Sequence, residues 1–332
     1  MNMRILVTGA TGLIGSSLIR RLLYENDTCG TNVVITALVR DVSRARDWFG
    51  VLCSREDFDF LEGDVCDASV LIGKSWDVIV HGAGNSHPKA FATYPVETMK
   101  ANLLGTMNLL EHAKSQADSG EPVKKVVFLS SGEVYGNASL PGEYSKCGFD
   151  ETTPGTVDSM QMRSCYPESK RAAETLCKCY FEEYRIPTVV ARLAYIFGSS
   201  VPTENSRADA QFYRKALLHE DIVMKSKGEQ VRSYCYVKDA VSAILTIMEK
   251  GVPGEAYNVA NRDLVMTIRE YAENLAKTFG VKVVFDLPDE KEAAGYSKMK
   301  TEILNPTKLY NLGWKPEYSL DEAMREMKEV GE

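Results

Sequence analysis

The stretch Thr8-Gly9-Ala10-Thr11-Gly12-Leu13-Ile14-Gly15 does more than any other to limit the folds open to this chain. It follows the apolar run Arg4–Thr8 and leads into a segment where Ile14, Leu18 and Leu22 recur every fourth residue, the spacing of one buried helix face. The three glycines between strand and helix divide three tasks. Gly9 permits the tight turn, Gly12 lets the backbone approach a pyrophosphate, and Gly15 lets helix and strand pack closely. With Thr11, Leu13 and Ile14 completing the turn, the helix start offers unpaired N–H groups and a positive dipole end to phosphate.

The alternation begun there continues. Val33–Val39, Phe58–Leu61, Asp77–His81, Lys124–Ser130 and Thr188–Leu193 read as further strands, and Pro95–Lys114, Tyr166–Tyr184, Ala208–Leu218 and Lys238–Glu249 as helices. This is the pattern of an α/β protein whose parallel sheet is covered on both faces. A long stretch between Ser131 and Tyr166 is broken by Gly136, Pro141, Gly142, Gly148, Pro154 and Gly155, and a loop of that length inside a compact unit is usually functional or mobile. The 332 residues suffice for about two domains. After Gly198 come shorter elements spaced by Pro202, Pro253, Pro288, Pro306 and Pro316, and no linker divides the halves. The expected units interleave: residues 1–195 plus about 233–252 bind a dinucleotide, and residues 196–232 plus about 253–332 bind substrate.

Composition excludes several classes. Lys plus Arg total 39 against 46 for Asp plus Glu, a net charge of −7 with no basic footprint for nucleic acid. A hydrophobic fraction of 44% argues against disorder, and no apolar run approaches the ~20 residues that cross a bilayer. The first residues lead straight into a strand, so the expectation is a soluble, cytoplasmic protein. Eight cysteines form no Cys-x-x-Cys pair and four histidines show no metal spacing; reduced, packed thiols and no metal are expected.

Tyr166-Pro167-Glu168-Ser169-Lys170 sets a phenol and an amine four residues apart, on one face of a helix. A free tyrosine, with pKa about 10, is a poor base at neutral pH, and a neighbouring cation favours its phenolate. Upstream, Ser130-Ser131-Gly132-Glu133-Val134-Tyr135-Gly136 closes the fifth strand at its carboxyl edge, where α/β folds place ligands. Ser131 can hydrogen-bond the reacting oxygen there.

Taken together, the glycine turn and this pair resemble the short-chain dehydrogenase/reductase superfamily. They resemble most its extended branch, the NAD(P)-dependent nucleotide-sugar epimerase/dehydratase family. The likeness runs over nearly the whole chain. Ala191-Arg192-Leu193 through Phe197-Gly198 resembles the strand before the sugar site, and Gly228 through Asp239 the segment around a diphosphate-binding arginine. Tyr257-Asn258-Val259-Ala260 and Leu312-Gly313-Trp314-Lys315-Pro316 match late structural marks. The fold implied is a Rossmann-type doubly wound parallel sheet with a smaller, interleaved C-terminal substrate domain.

By that resemblance Tyr166 is the base, Lys170 tunes it and holds the nicotinamide ribose, Ser131 polarises the sugar oxygen, and Arg232 binds the nucleotide diphosphate. Asp64-Val65 stands where such proteins contact adenine, and Gly82-Ala83 in the turn beneath the cofactor, with His81 packed at a strand end. The cofactor is NAD or NADP, tightly bound. Arg40, with Arg44, would grip a 2′-phosphate, whereas Asp41 would serve a free ribose hydroxyl, and the choice stays open.

The reaction implied passes through a 4-keto intermediate on a nucleotide-diphosphate sugar. Epimerisation is the first reading, and a 4-ketoreductase or a UDP-uronate decarboxylase the alternative. Sugar 4,6-dehydratases carry an Asp-Glu pair where this chain has Gly132-Glu133, which removes the acid for a departing hydroxyl. Glu133 in its Ser-Gly-Glu-Val-Tyr-Gly setting resembles the uronate decarboxylases, although Tyr195 replaces their usual Asn; Glu133 is a catalytic candidate or a structural partner of the long loop. A non-catalytic NAD(P)-sensing protein of the same fold is the reading of another class. Relatives pair through two helices, so a homodimer through Pro95–Lys114 and Tyr166–Tyr184 is expected.

Overall fold

The structure is a computed structural model that describes residues 3–138, 147–287 and 301–331; Pro141, Gly142 and Pro288 lie outside the described residues. The chain runs through β1 (Met3–Thr8), α1 (Leu13–Cys29), β2 (Val33–Val39), α2 (Val42–Phe49), β3 (Phe58–Glu62) and β4 (Val78–His81). Then follow α3 (Pro88–Thr93), α4 (Pro95–Asp118), β5 (Lys125–Ser131) and, after the long loop, α5 (Cys165–Tyr184), β6 (Thr188–Leu193) and β7 (Tyr195–Phe197). The remainder comprises α6 (Ala208–Leu217), β8 (Ile222–Met224), β9 (Val231–Tyr236), α7 (Val237–Lys250) and β10 (Ala256–Val259). Last come β11 (Val265–Thr267), α8 (Ile268–Phe279), β12 (Val283–Phe285), β13 (Thr301–Glu302) and a final helix, Leu320–Gly331.

Seven parallel strands form the main sheet in the order β10-β6-β5-β4-β1-β2-β3, with the chain reversing its direction of travel between β1 and β4. A crevice at such a reversal, outside the carboxyl ends of the strands, is where doubly wound sheets bind ligands. Both faces are buried, which is why the strands read as near-continuous apolar runs. Ile5 and Val7 pack into one core with Leu18, Leu22, Val241 and Ile244 from α1 and α7. Leu6, one residue out of phase, packs on the other side with Leu109, Leu110, Ala173 and Cys177 from α4 and α5.

A second, smaller sheet joins β11, β9 and β13, with β7 also on β9, and β12 pairs with β8. Its apolar residues are continuous with the first core: Phe197, Tyr234, Tyr271 and Phe279 belong to the same cluster as Ile5. Two edges of the expected division shift. β10 falls beyond residue 252 yet completes the main sheet, since Ala256–Val259 satisfies its backbone by pairing with β6. β9, expected from residue 233 to belong with the dinucleotide unit, instead carries the small sheet through Val231–Tyr236, although Tyr234, Cys235 and Tyr236 pack into the same core as α7 after it.

Candidate active site

The glycine turn adopts the geometry its residues dictate. Gly9 has φ +70°, a left-handed conformation, and a Cβ there would strike the Gly82 carbonyl at the end of β4. A Cβ on Gly15 would strike the Gly9 carbonyl, so this glycine lets the helix sit down on its own turn. Gly12 is different: its space is open except for the Gly9 carbonyl at 3.2 Å, and it starts α1 with no side-chain cap. The first turn of α1 also holds no acidic residue, so no carboxylate of that turn competes for its N–H groups.

Thr8 fastens this turn to its neighbour. Its Oγ1 accepts from the Gly82 and Ala83 N–H groups at 3.2 and 3.1 Å and lies 2.7 Å from His81 Nδ1. Burial, with the charge of Lys170 behind it, holds the His81 imidazole down to about 3, so His81 is a neutral strut of the sheet. Asp64 is exposed at the end of β3, where its carboxylate accepts from the Cys66 N–H at 2.8 Å, and Val65 is buried beside it.

At the end of β2, Arg40 is exposed. Its two neighbours in the cofactor argument are already engaged within the protein. Asp41 caps α2 by accepting from the Arg44 N–H at 3.0 Å, and the Arg44 guanidinium pairs with Glu204. A capping carboxylate is held by the helix it starts through one of its oxygens, and Arg40 stands exposed beside it.

The catalytic candidates meet over the carboxyl edge of β5. Ser130 donates to Glu174 at 2.6 Å, which fixes it in the sheet, while Ser131 caps the next turn by accepting from the Glu133 N–H at 3.2 Å. Tyr166, at the start of α5, is buried with Phe91 of α3 stacked on its ring at 4.6 Å between centroids. Lys170 Nζ donates to the Leu129 carbonyl of β5 at 2.7 Å and lies 5.9 Å from the Tyr166 ring centre. The helical spacing of four thus places both groups against the same strand.

Their electrostatics differ from the expected arrangement. The Tyr166 phenol stands above its ordinary value, first because burial strips its water and then because Glu133 is negative; the Ser131 hydroxyl acts in the opposite direction. The Lys170 amine is perturbed in its turn. Burial draws Lys170 down to about 7, opposed by the charges of Glu174 and Cys177. The stored electrostatic stress of the site therefore sits on the amine.

Glu133 is held by Arg163 through two bonds of 2.8 and 3.2 Å, so it is both beside Tyr166 and a partner of the loop end. Arg232 is buried in β9, where its Nε lies 3.7 Å from Glu302. Phe91, Arg163, Arg207 and Glu302 surround Tyr166 and were not singled out by the sequence. Arg207 pairs with Asp209 at 3.1 Å and lies 4.1 Å over the Tyr195 ring. Glu302 comes from the far end of the chain, and nothing in its sequence neighbourhood marks it.

Comparison with known proteins agrees with this architecture. Residues 5–260 match the NAD dependent epimerase/dehydratase family. UDP-glucuronic acid decarboxylase 6 of Arabidopsis thaliana is 30% identical over 336 residues, covering 99% of this chain and 88% of that protein. The crystal structure of UDP-glucose 4-epimerase from Thermotoga maritima with UDP-glucose superposes with a TM-score of 0.81 at 25% identity, covering 98% of each chain. That of dTDP-glucose 4,6-dehydratase from Streptomyces venezuelae, with NAD bound, gives a TM-score of 0.82 at 24% identity over 98% of this chain and 96% of that one. With the glycine turn, the strand-end serine and the Tyr–Lys helix all in their places, the chain belongs to the NAD dependent epimerase/dehydratase family.

Proposed function

We propose that this protein is an NAD(P)-dependent enzyme that oxidises the C4 hydroxyl of a nucleotide-diphosphate sugar to a 4-ketone. The observation that carries the reading is the meeting of Tyr166, Ser131 and the buried amine of Lys170 at one strand edge. The open Gly12 and the uncapped α1 fit a dinucleotide pyrophosphate, with Thr11, Leu13 and Ile14 around it, and Lys170 has donors to spare for its ribose. When bound, the nicotinamide ring supplies a hydride acceptor.

The chain's own residues do the rest. Ser131 orients the sugar hydroxyl toward Tyr166, and Tyr166 takes its proton. Lys170, as a cation, draws Tyr166 toward phenolate and lowers the cost of that transfer. Stacked Phe91 keeps water from the phenol on the other side. Arg232 is the candidate for the diphosphate, provided it turns from Glu302 to do so.

Return of hydride to the opposite face of C4 gives 4-epimerisation, the fate that asks for no further group. Decarboxylation of a UDP-uronate is the second reading, favoured by the 30% identity to UDP-glucuronic acid decarboxylase 6 along almost the full chain. The return step alone would make a 4-ketoreductase, for which exposed Arg40 suits NADPH. A purely nucleotide-sensing protein has no use for the assembled Tyr166 and Ser131. An exposed apolar stripe on α4 (Val96, Met99, Leu104 and Met107) supports a homodimer through that face. Mass spectrometry of the co-purified nucleotide, then product analysis over UDP-, dTDP-, GDP- and CDP-sugars, tests the reading; Tyr166→Phe that turns over a substrate at the wild-type rate refutes it.

A further inference from the structure

Gly132 follows the catalytic strand directly, and its missing side chain is not empty space. A Cβ there would collide with Glu302 Oε1, and Leu304 closes in behind at 3.2 Å. Glu302 reaches this place because β13 pairs with β9, opposite Arg232, some 170 residues along the chain from Gly132. The site therefore holds two carboxyl groups around Gly132: Glu133 on the chain itself and Glu302 from the small sheet.

Their environments separate them. Glu133 is bonded twice by Arg163. Glu302 is buried, and burial pushes its carboxyl up to about 7. Glu133 adds to that rise, while Arg232, Arg207 and Arg163 act against it. A carboxyl raised toward neutrality can give up a proton at the working pH. Glu302 Oε1 occupies the place a Gly132 side chain would take, directly after Ser131, and both carboxyls raise the Tyr166 phenol by their charge.

We propose that Glu302 is a second acid–base group of the site, exchanging a proton with a ring carbon next to the C4 ketone, so that the reaction runs beyond hydride exchange at C4. This rests on the C4-oxidation reading above and deepens it toward chemistry beside a carbonyl. Once C4 is a ketone, the bond from the flanking carbon to a carboxylate breaks and the carboxylate leaves as carbon dioxide. Its electron pair moves through the new carbon–carbon double bond onto the C4 oxygen, which Tyr166 and Ser131 hold. The Glu302 carboxylic acid then gives its proton to the flanking carbon as the enolate collapses to the ketone. Glu302 is left as a carboxylate facing Arg232, Arg207 and Arg163, and regains a proton from water. No electrons are gained or lost in these steps.

The test uses whichever sugar nucleotide the panel identifies as substrate, run in deuterium oxide. The wild-type product carries deuterium on a carbon flanking C4. Glu302→Gln still reduces the nicotinamide on mixing with substrate, read by near-ultraviolet absorbance, but deuterium incorporation and product release fall by roughly 10²-fold. Gly132→Ala, which pushes the carboxyl from its place, shows the same split. Wild-type product without deuterium, or Glu302→Gln and Gly132→Ala proteins that incorporate it at the wild-type rate, overturns the proposal. So does a Glu302→Gln protein that has lost nicotinamide reduction, since the carboxyl then serves the first step or the fold. Failure of the C4-oxidation reading looks different: nicotinamide reduction then survives Tyr166→Phe.

Discussion

Lys170→Met is expected to stabilise the protein while abolishing turnover. Each pKa unit is worth about 1.4 kcal/mol, so drawing this amine from its ordinary 10.5 to about 7 costs the fold up to about 5 kcal/mol at and below pH 7. Methionine fills the same channel without that cost, but it orphans the Leu129 carbonyl, a loss of ~1–3 kcal/mol. The net expectation at pH 7 is a gain of roughly 2–3 kcal/mol, or about 3–4 °C in Tm for a chain this long. The pH dependence gives the sharper check. The folded value lies below the unfolded one, so the penalty is complete below pH 7 and fades as pH rises toward 10.5. Wild-type stability therefore climbs through that window relative to the variant, closing the gap by about 3 kcal/mol near pH 9.5. Denaturant unfolding of both proteins, freed of nucleotide, at these two pH values measures it. A variant less stable than wild type at pH 7, or a gap that is the same at both, refutes the burial of a strained amine.

Tyr166→Phe should lower turnover by roughly 10²–10⁴-fold with nucleotide affinity unchanged, measured by steady-state kinetics beside nucleotide titration, because only a proton acceptor is removed. Arg40→Ala should weaken NADP binding by about tenfold or more and leave NAD nearly unaffected, since a guanidinium that reads a 2′-phosphate has no such partner on NAD; equal losses by calorimetry would show that Arg40 reads neither. Arg232→Ala should raise the Michaelis constant for the sugar nucleotide, read by steady-state kinetics, and raise the Glu302 carboxyl further, because the nearest of its cationic neighbours is gone. An unchanged Michaelis constant in a folded variant would take Arg232 out of the substrate site.

Local physics made much of this molecule legible. The strand–glycine–helix start and the four-residue Tyr–Lys spacing are short-range constraints, so β1 and α5 could be placed within a residue or so, and the buried face of α1 could be read from Ile14, Leu18 and Leu22. β9 and β10 were harder, because a short apolar strand does not state which sheet will pair with it. Asp41 illustrates a different limit. A carboxylate after β2 reads equally as a ribose ligand or a helix cap, and only the Arg44 N–H beneath it decides. The charge state of Lys170 was hidden for a similar reason: spacing brings the amine to Tyr166, but burial, which spacing does not encode, draws its value down to about 7. Glu302 was invisible altogether, since its meaning lies in the absence of a side chain at Gly132.

The stack of Tyr234 on Tyr271, 4.9 Å apart and continuous with the apolar interior beneath β1, has a mechanical consequence. Two lobes that share one interior melt together, in a single cooperative step. A fragment cut near residue 195 would leave half of that interior facing water, so neither piece should stand alone.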